Sequence, residues 1–506
     1  MKNFKNKFAL LLVLLTAAIF SNANNIRVGI GAYNPTTKVL SLTLAWDNSW
    51  HDGSGTFRDA AWIFVKYKDV TNAEWQHAIL STPTAITVTD TLSGQGVKFE
   101  AYGKNPSTAP VGSRGWIIRR GKNASGSLTA PAFAGVYNVA MNVNVTLQFP
   151  TGVTLVNPEF RAYALEMVDI PAGGFYLGDG TTNSEFSTTI GTTSAPPVYI
   201  AGEAALNCAQ TGVPSSVAVS FPAAFPKGTV EFFQMKYELS REGYAEFLNT
   251  LTRQQQNSYD WSGSLSGMSD FDNLQSATLN LAQERGLGID VTATDLSSPL
   301  VFSCDANNNN VPNELNDGQN LPVTFIAPEY ALAYLDWAGL RPMSKLEYEK
   351  SCRGPLLPIA NEYAWGSTLK TEIQSSTSVN DPNGPSESYT SNYNGPYITG
   401  FTRRCGIFAK STGSNRLNTG GTYYGAMEMT GNAAEVVVAE LSYTGVNGDG
   451  LLNSSGYCDV TQWPSSMMRV MTAGSVSSVG SSRLSYSSGY FSGSLSDIGI
   501  RGVIKF

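Results

Sequence analysis

The chain has 506 residues, with 33 Lys plus Arg against 40 Asp plus Glu and a formal charge of −7. That length suffices for two or three domains with a sizeable core, and the acidic balance argues against nucleic acid or an anionic membrane surface as a partner. The two histidines, His51 and His77, both lie early in the chain, so no Ser-His-Asp triad, multi-histidine iron site or histidine zinc site can be assembled from the remainder.

Lys2, Lys5 and Lys7 precede an apolar run from Phe8 to Phe20 and the small-residue stretch Ser21-Asn-Ala23. This order is that of a signal peptide, residues 1–23, with cleavage expected after Ala23. The run is shorter than the ~20 residues a spanning helix needs, and no later stretch is apolar enough to cross a membrane. Export places the mature chain in the periplasm, at the cell surface or outside the cell. Losing three lysines and no acid takes the formal charge from −7 to −10.

Residues 24–165 read as β-structure. Val39-Leu-Ser-Leu-Thr-Leu-Ala-Trp46 alternates, Ala61-Trp-Ile-Phe-Val-Lys-Tyr67 is rich in β-branched and aromatic residues, and Val139–Phe149 has period two from Met141 onward. Turn-forming clusters at Asn48–Gly55 and Tyr102–Pro106 separate such runs. Short strands with turns between them predict a β-sandwich. Trp46, Trp50, Trp62, Trp75 and Trp116 offer a sugar-stacking platform, although burial in the core is the default for aromatic side chains.

Residues 166–506 follow without a flexible linker. Ser240 is placed to cap a helix reaching about Leu251, with Tyr244, Phe247, Leu248 and Leu251 on one face. A second helix starts at Pro328 and stops at Gly339. A third opens on the capping box Ser344-Lys-Leu-Glu347 and continues to about Cys352. The serine-rich stretch Val476–Ser496 reads as ordered loop, because Ile498–Phe506 beyond it reads as a final strand. Between the first and second helices, Asp305-Ala-Asn-Asn-Asn-Asn-Val-Pro-Asn-Glu314 has oxygen-bearing side chains at alternate positions, like the start of an EF-hand loop. Asn310 replaces the glycine at its sixth position and Asn316 the glutamate at its twelfth, which favours a solvent loop over a calcium site. Val446–Gly450 is a turn signal.

Five cysteines remain after cleavage: Cys208, Cys304, Cys352, Cys405 and Cys458. In an exported chain they suit up to two disulfides and one odd thiol. No C-x-x-C spacing occurs, which disfavours a zinc knuckle or a thioredoxin-like site. The favoured bridge is Cys352 with Cys405, since the first ends a predicted helix and the second lies on a segment returning toward the core.

Four segments then stand out in order: Met167-Val-Asp-Ile-Pro-Ala-Gly-Gly-Phe-Tyr-Leu-Gly178, Lys236-Tyr-Glu-Leu-Ser240, Ala338-Gly-Leu-Arg-Pro-Met-Ser-Lys-Leu-Glu-Tyr-Glu-Lys350 and Met427-Glu-Met-Thr-Gly-Asn-Ala-Ala-Glu435. Together they resemble the formylglycine-generating enzyme (sulfatase-modifying factor) domain. The resemblance implies an α+β, C-type-lectin-like fold preceded here by the sandwich-like region. It also implies calcium bound through Glu428, Gly431, Ala433 and Glu435, the outer two by side chains and the inner two by backbone carbonyls. Such a mixture of hard oxygens is what calcium takes. Ala434 stands where that family usually has tryptophan, a change in packing more than in ligation. Asn392 matches one ligand of a second family calcium site, whose acidic partner has no counterpart we can place.

The family oxidises a substrate cysteine to formylglycine with its own copper-binding cysteine pair near the C-terminus. Here Gly474–Arg483, where the pair would lie, holds no cysteine, so no copper site is expected: a soft metal needs soft ligands. Arg341, Glu347 and Glu349 also match family positions. The capping box accounts for Glu347 and an internal ion pair for Arg341, so no catalytic residue is assigned. The expected function is that of an exported, non-catalytic protein that binds a protein, peptide or glycan, or serves at a surface. The alternative is an enzyme of the same superfamily.

Overall fold

The computed structural model describes residues 26–506 apart from 53–56, 71, 82–84, 89–98, 103–112, 121–134, 149–153, 182–185, 188–195, 211–216, 260–286, 290–297, 308, 310, 312, 325, 372–378, 381–386, 390–394, 396–401, 410–414, 465–467, 472–482, 486–489 and 492–497. Much of the serine-rich stretch, the turn at 103–106 and Asn392 therefore lie outside the described residues. The architecture is α+β, rich in sheet with few helices.

A five-stranded sheet is built around Val39–His51, which pairs antiparallel with Arg27–Asn34 on one side and Gly135–Gln148 on the other. The cluster at Asn48–His51, expected to turn, continues the strand instead. A register shift between Trp46 and Ser49 absorbs the irregular residues. Alternation puts Leu40, Leu42, Leu44 and Trp46 into one core with Val143, Val145 and Leu147 of the neighbouring strand.

Asp59–Asp69 belongs to a second, twelve-stranded sheet. It is buried on both faces: Ala61, Ile63 and Val65 enter the core just described, while Ala60, Trp62 and Phe64 enter the main core. A strand covered on both sides reads as a continuous apolar run, which is why its sequence does not alternate. Glu159–Ile170 pairs with it from Glu159↔Lys68 to Val168↔Asp59 and, on its other edge, with Phe232–Met235. This strand runs through position 166, so the two regions share one sheet. The order continues through Gly502–Ile504, Arg341–Ser344 and Ala434–Val438 to Met468–Met471, with the Arg341 and Ala434 strands parallel. The C-terminal strand thus sits in the middle of the sheet, next to the candidate site.

The three helices form where the caps predict. Arg241–Leu248 starts at Ser240, whose side chain accepts from the Gly243 amide, and it ends before Leu251. Pro328–Trp337 stops ahead of Gly339, whose φ of 68° suits glycine. Lys345–Arg353 carries the reciprocal Ser344/Glu347 capping box. No helix among the described residues is long and apolar enough to cross a membrane.

Candidate functional site

Glu428 and Glu435 lie on opposite arms of a tight curl, with φ of 55° at Glu428, 94° at Gly431 and 69° at Asn432. Glu435 lies on the strand Ala434–Val438, opposite Met471 of Met468–Met471. Both carboxyls are buried, at 3 and 1 % exposure, and a third acid, Glu238 from the second family-like segment, joins them at 3 %. The basic group bonded to the set is Arg501, itself 1 % exposed. Its Nη2 lies 3.1 Å from Glu435 Oε1, and the same guanidinium donates to the carbonyls of Met235 at 3.0 Å, Lys236 at 2.8 Å and Met427 at 2.9 Å.

Glu238 orders the curl by accepting from Ala433 N at 2.9 Å and from the Asn432 amide at 2.8 Å. Glu428 Oε2 accepts from Gly406 N at 3.1 Å. Glu428 Oε1 and Glu435 Oε2 are buried without a hydrogen-bond partner. Burial pushes all three carboxyls above their ordinary range; the Glu238 charge adds to this at Glu428, and Arg501 opposes it at every one. Three acids thus lie around one guanidinium, and two of their oxygens have no hydrogen-bond partner.

Around the helix Lys345–Arg353 the acids are bonded to neighbouring elements. Arg341 grips Glu347 in a two-bond fork at 2.6 and 2.8 Å. Glu349 Oε2 accepts from Gly178 N at 2.8 Å, Arg353 Nη1 at 3.1 Å and Ser485 Oγ at 3.0 Å. These bonds tie the first and third family-like segments together. His77 is buried, stacks on Phe64 and pairs Nε2 with the Arg114 carbonyl, so it has a packing role. The side chain of His51 lies outside the described residues.

One expectation is corrected, the bridge between Cys352 and Cys405. Cys352 and Cys405 are both free, as are Cys208, Cys304 and Cys458. Cys352 packs with Met343, Tyr348 and Val437, whereas Cys405 lies in a separate cluster with Tyr237 and Phe408, its thiol 3.6 Å from the Glu238 carbonyl. Most of the tryptophans follow the default of burial. Trp46, Trp62 and Trp116 are at most 1 % exposed, and Trp75 is covered by Arg161 and Lys68.

One cluster was missed in the sequence. Asp336, Asp449 and Asp459 bring carboxylate oxygens within 4.8 Å of one another. Asp336 accepts from the backbone of Asp449 at 2.8 Å and of Asp459 at 3.2 Å. The buried Lys66 ammonium donates to Gly450 O at 2.7 Å and is drawn electrostatically to Asp336 and Asp449. The cluster staples the loop 446–459 to the sheet. Its one sequence signal was Asp449 in a turn, and nothing in the sequence brought Asp336 or Lys66 to it.

Residues 153–506 match the model of the sulfatase-modifying factor enzyme 1-like domain, and the chain belongs to that family. Comparison with curated proteins gives no match. Among solved structures the chain is similar to one described as the crystal structure of group B streptococcus pilus 2b backbone protein. That likeness has 10% identity and a TM-score of 0.14, and covers 42% of this chain and 86% of that one. Nothing below rests on it.

Proposed function

We propose that this is an exported, non-catalytic binding or surface-structural protein that reuses the formylglycine-generating scaffold and holds a structural calcium. In this reading residues 24–165 form a sandwich-like β-domain and 166–506 a C-type-lectin-like domain. The single observation that carries it is the state of the thiols. No cysteine follows Cys458, and burial pushes every thiol upward, Cys208 to about 12. Copper ligation and thiol oxidation both proceed through the thiolate, which this burial disfavours.

The calcium part is supported by the orphaned oxygens of Glu428 and Glu435. Two experiments test the reading. Titration of the native protein with Cu(I) is expected to show no tight thiolate site, and one equivalent of tight binding would overturn the non-catalytic assignment. Thermal unfolding with calcium and with excess chelator is expected to differ in wild type and to coincide in Glu435→Gln. Coincidence in wild type would remove the calcium and leave the rest standing. A protein, peptide or glycan is the class of partner proposed.

A further inference from the structure

We infer that the cleft lined by the strand Glu159–Ile170 and the helix Arg241–Leu248 binds an alkylammonium group, carried by a free diamine or by a lysine side chain. The cleft encloses about 530 Å³, within the size class of small-molecule sites. Four acids line it, Glu166, Glu238, Glu242 and Glu246, and among the described lining residues the one basic side chain is Arg27. Arg27 is already paired with Asp47 at 3.1 Å. Glu166 has the Lys236 ammonium at 3.7 Å, and Glu238 accepts from Asn432 and Ala433. Glu242 and Glu246 are left over. Among the described residues neither of these two carboxyls has a salt bridge or a hydrogen bond.

Positions four apart share one face of a helix, where like charges disfavour each other. Both residues are exposed in the cleft, yet protein surrounds their carboxyls closely enough that burial raises both. Glu246 is pushed up to about 7, the Glu242 charge adding to burial and Arg161 opposing it. Beside this pair the lining is aromatic, with Phe64, Tyr163, Tyr334 and Trp337. The rings of Tyr163 and Trp337 lie 4.8 Å apart, and Phe64 stacks on Tyr163 at 5.1 Å. Burial first and the Glu246 charge second raise the Tyr334 phenol, which sets that carboxyl beside the rings. Tyr237, on the same lining and 8 % exposed, has a hydroxyl with no hydrogen-bond partner. Carboxylates supply the countercharge, aromatic rings attract a cation, and a phenol oxygen accepts from N–H. The protein itself sets one ammonium on this cluster: Lys66 Nζ is 5.0 Å from the Trp337 ring.

A bare divalent cation suits this lining less, because it takes six or so hard oxygens at once. The cleft instead adds Leu165, Met235 and Leu315, apolar surface against which a methylene chain is buried favourably. The placement also gives the ligand a consequence. Arg27 and Val28 come from the first strand, Ala162–Glu166 from the strand shared by both regions, and Glu242 and Glu246 from the helix of the second. A ligand held here touches all three elements and braces the two regions against each other.

Calorimetric titration of the full chain tests this, with chelator present so that calcium plays no part. The probes are cadaverine, Nα-acetyl-lysine methylamide and, as an uncharged isostere, pentanediol. Saturable binding of at least one of the two amines at millimolar concentration is expected, and none of the diol. The tighter amine identifies the source, a free diamine or the lysine of another protein. Glu242→Gln and Glu246→Gln should each weaken binding about tenfold, the scale of losing one ion pair in a protein cleft. Both side chains are exposed, so these variants keep the fold. Glu435→Gln should bind as wild type does, which separates the cleft from the curl. Failure of both amines to bind, equal binding of the diol, undiminished affinity in the Glu242→Gln/Glu246→Gln double variant, or dependence on Glu435 would overturn the assignment.

Discussion

Arg501→Met is the perturbation that probes the buried site most severely. The guanidinium is 1 % exposed and joins Glu435 to the carbonyls of Met235, Lys236 and Met427. Breaking a buried ion pair by removing one partner costs roughly 3–5 kcal/mol, because the other charge stays buried. Each carbonyl left without its donor costs on the order of 1 kcal/mol more, with incomplete additivity among such close neighbours. A loss of at least ~4 kcal/mol is expected, a large share of a total that is ~5–15 kcal/mol for most domains. Arg501→Lys keeps the charge but not the planar fork of donors, so it should fall between. The assay is urea unfolding of each variant followed by near-UV circular dichroism. Adding Glu435→Gln to Arg501→Met should return part of the loss, since the carboxylate left uncompensated is then gone. A cost under ~1 kcal/mol for Arg501→Met, or strict additivity in the double variant, would refute the reasoning.

Other expectations follow from single contacts. His77 is held below its ordinary value of 6.5, first by burial and then by the Lys66 charge. The unfolded chain therefore binds more protons below pH 6.5, and stability should fall there by up to ~1.4 kcal/mol per pH unit until the folded-state value is reached. His77→Gln should flatten this slope in urea unfolding measured at successive pH values. Ser344→Ala removes a cap that accepts from Glu347 N at 3.1 Å and donates to Pro226 O at 2.8 Å. It should cost ~1–3 kcal/mol, read as a lowered urea midpoint.

Local physics was legible where it acts within a few residues. Ser240, Pro328 and the Ser344/Glu347 box placed the helices because a cap is satisfied by its own first turn. Leu40 through Trp46 alternated because one face of their strand meets the core. The family-like segments were legible as strings, and the structure shows what holds them: Glu238, Glu428, Glu435 and the Glu349 network belong to those segments. Contacts across long separations were not. Arg501 lay in what read as a plain terminal strand, and its carboxylate partner is 66 residues away. The bridge between Cys352 and Cys405 failed because sequence carries no information on which cluster each thiol packs into. The tryptophans were ambiguous for the same reason: Trp62 Nε1 donates to Ala338 O, a residue of the other region.

The central claim is a formylglycine-generating scaffold without its chemistry, and turnover tests it most directly. Purified protein, loaded with copper under air and a reducing thiol, is incubated with a Cys-x-Pro-x-Arg peptide and the peptide is followed by mass spectrometry. The account predicts that the cysteine remains intact at the level of a protein-free control. Conversion of that cysteine to formylglycine, dependent on this chain, would contradict it.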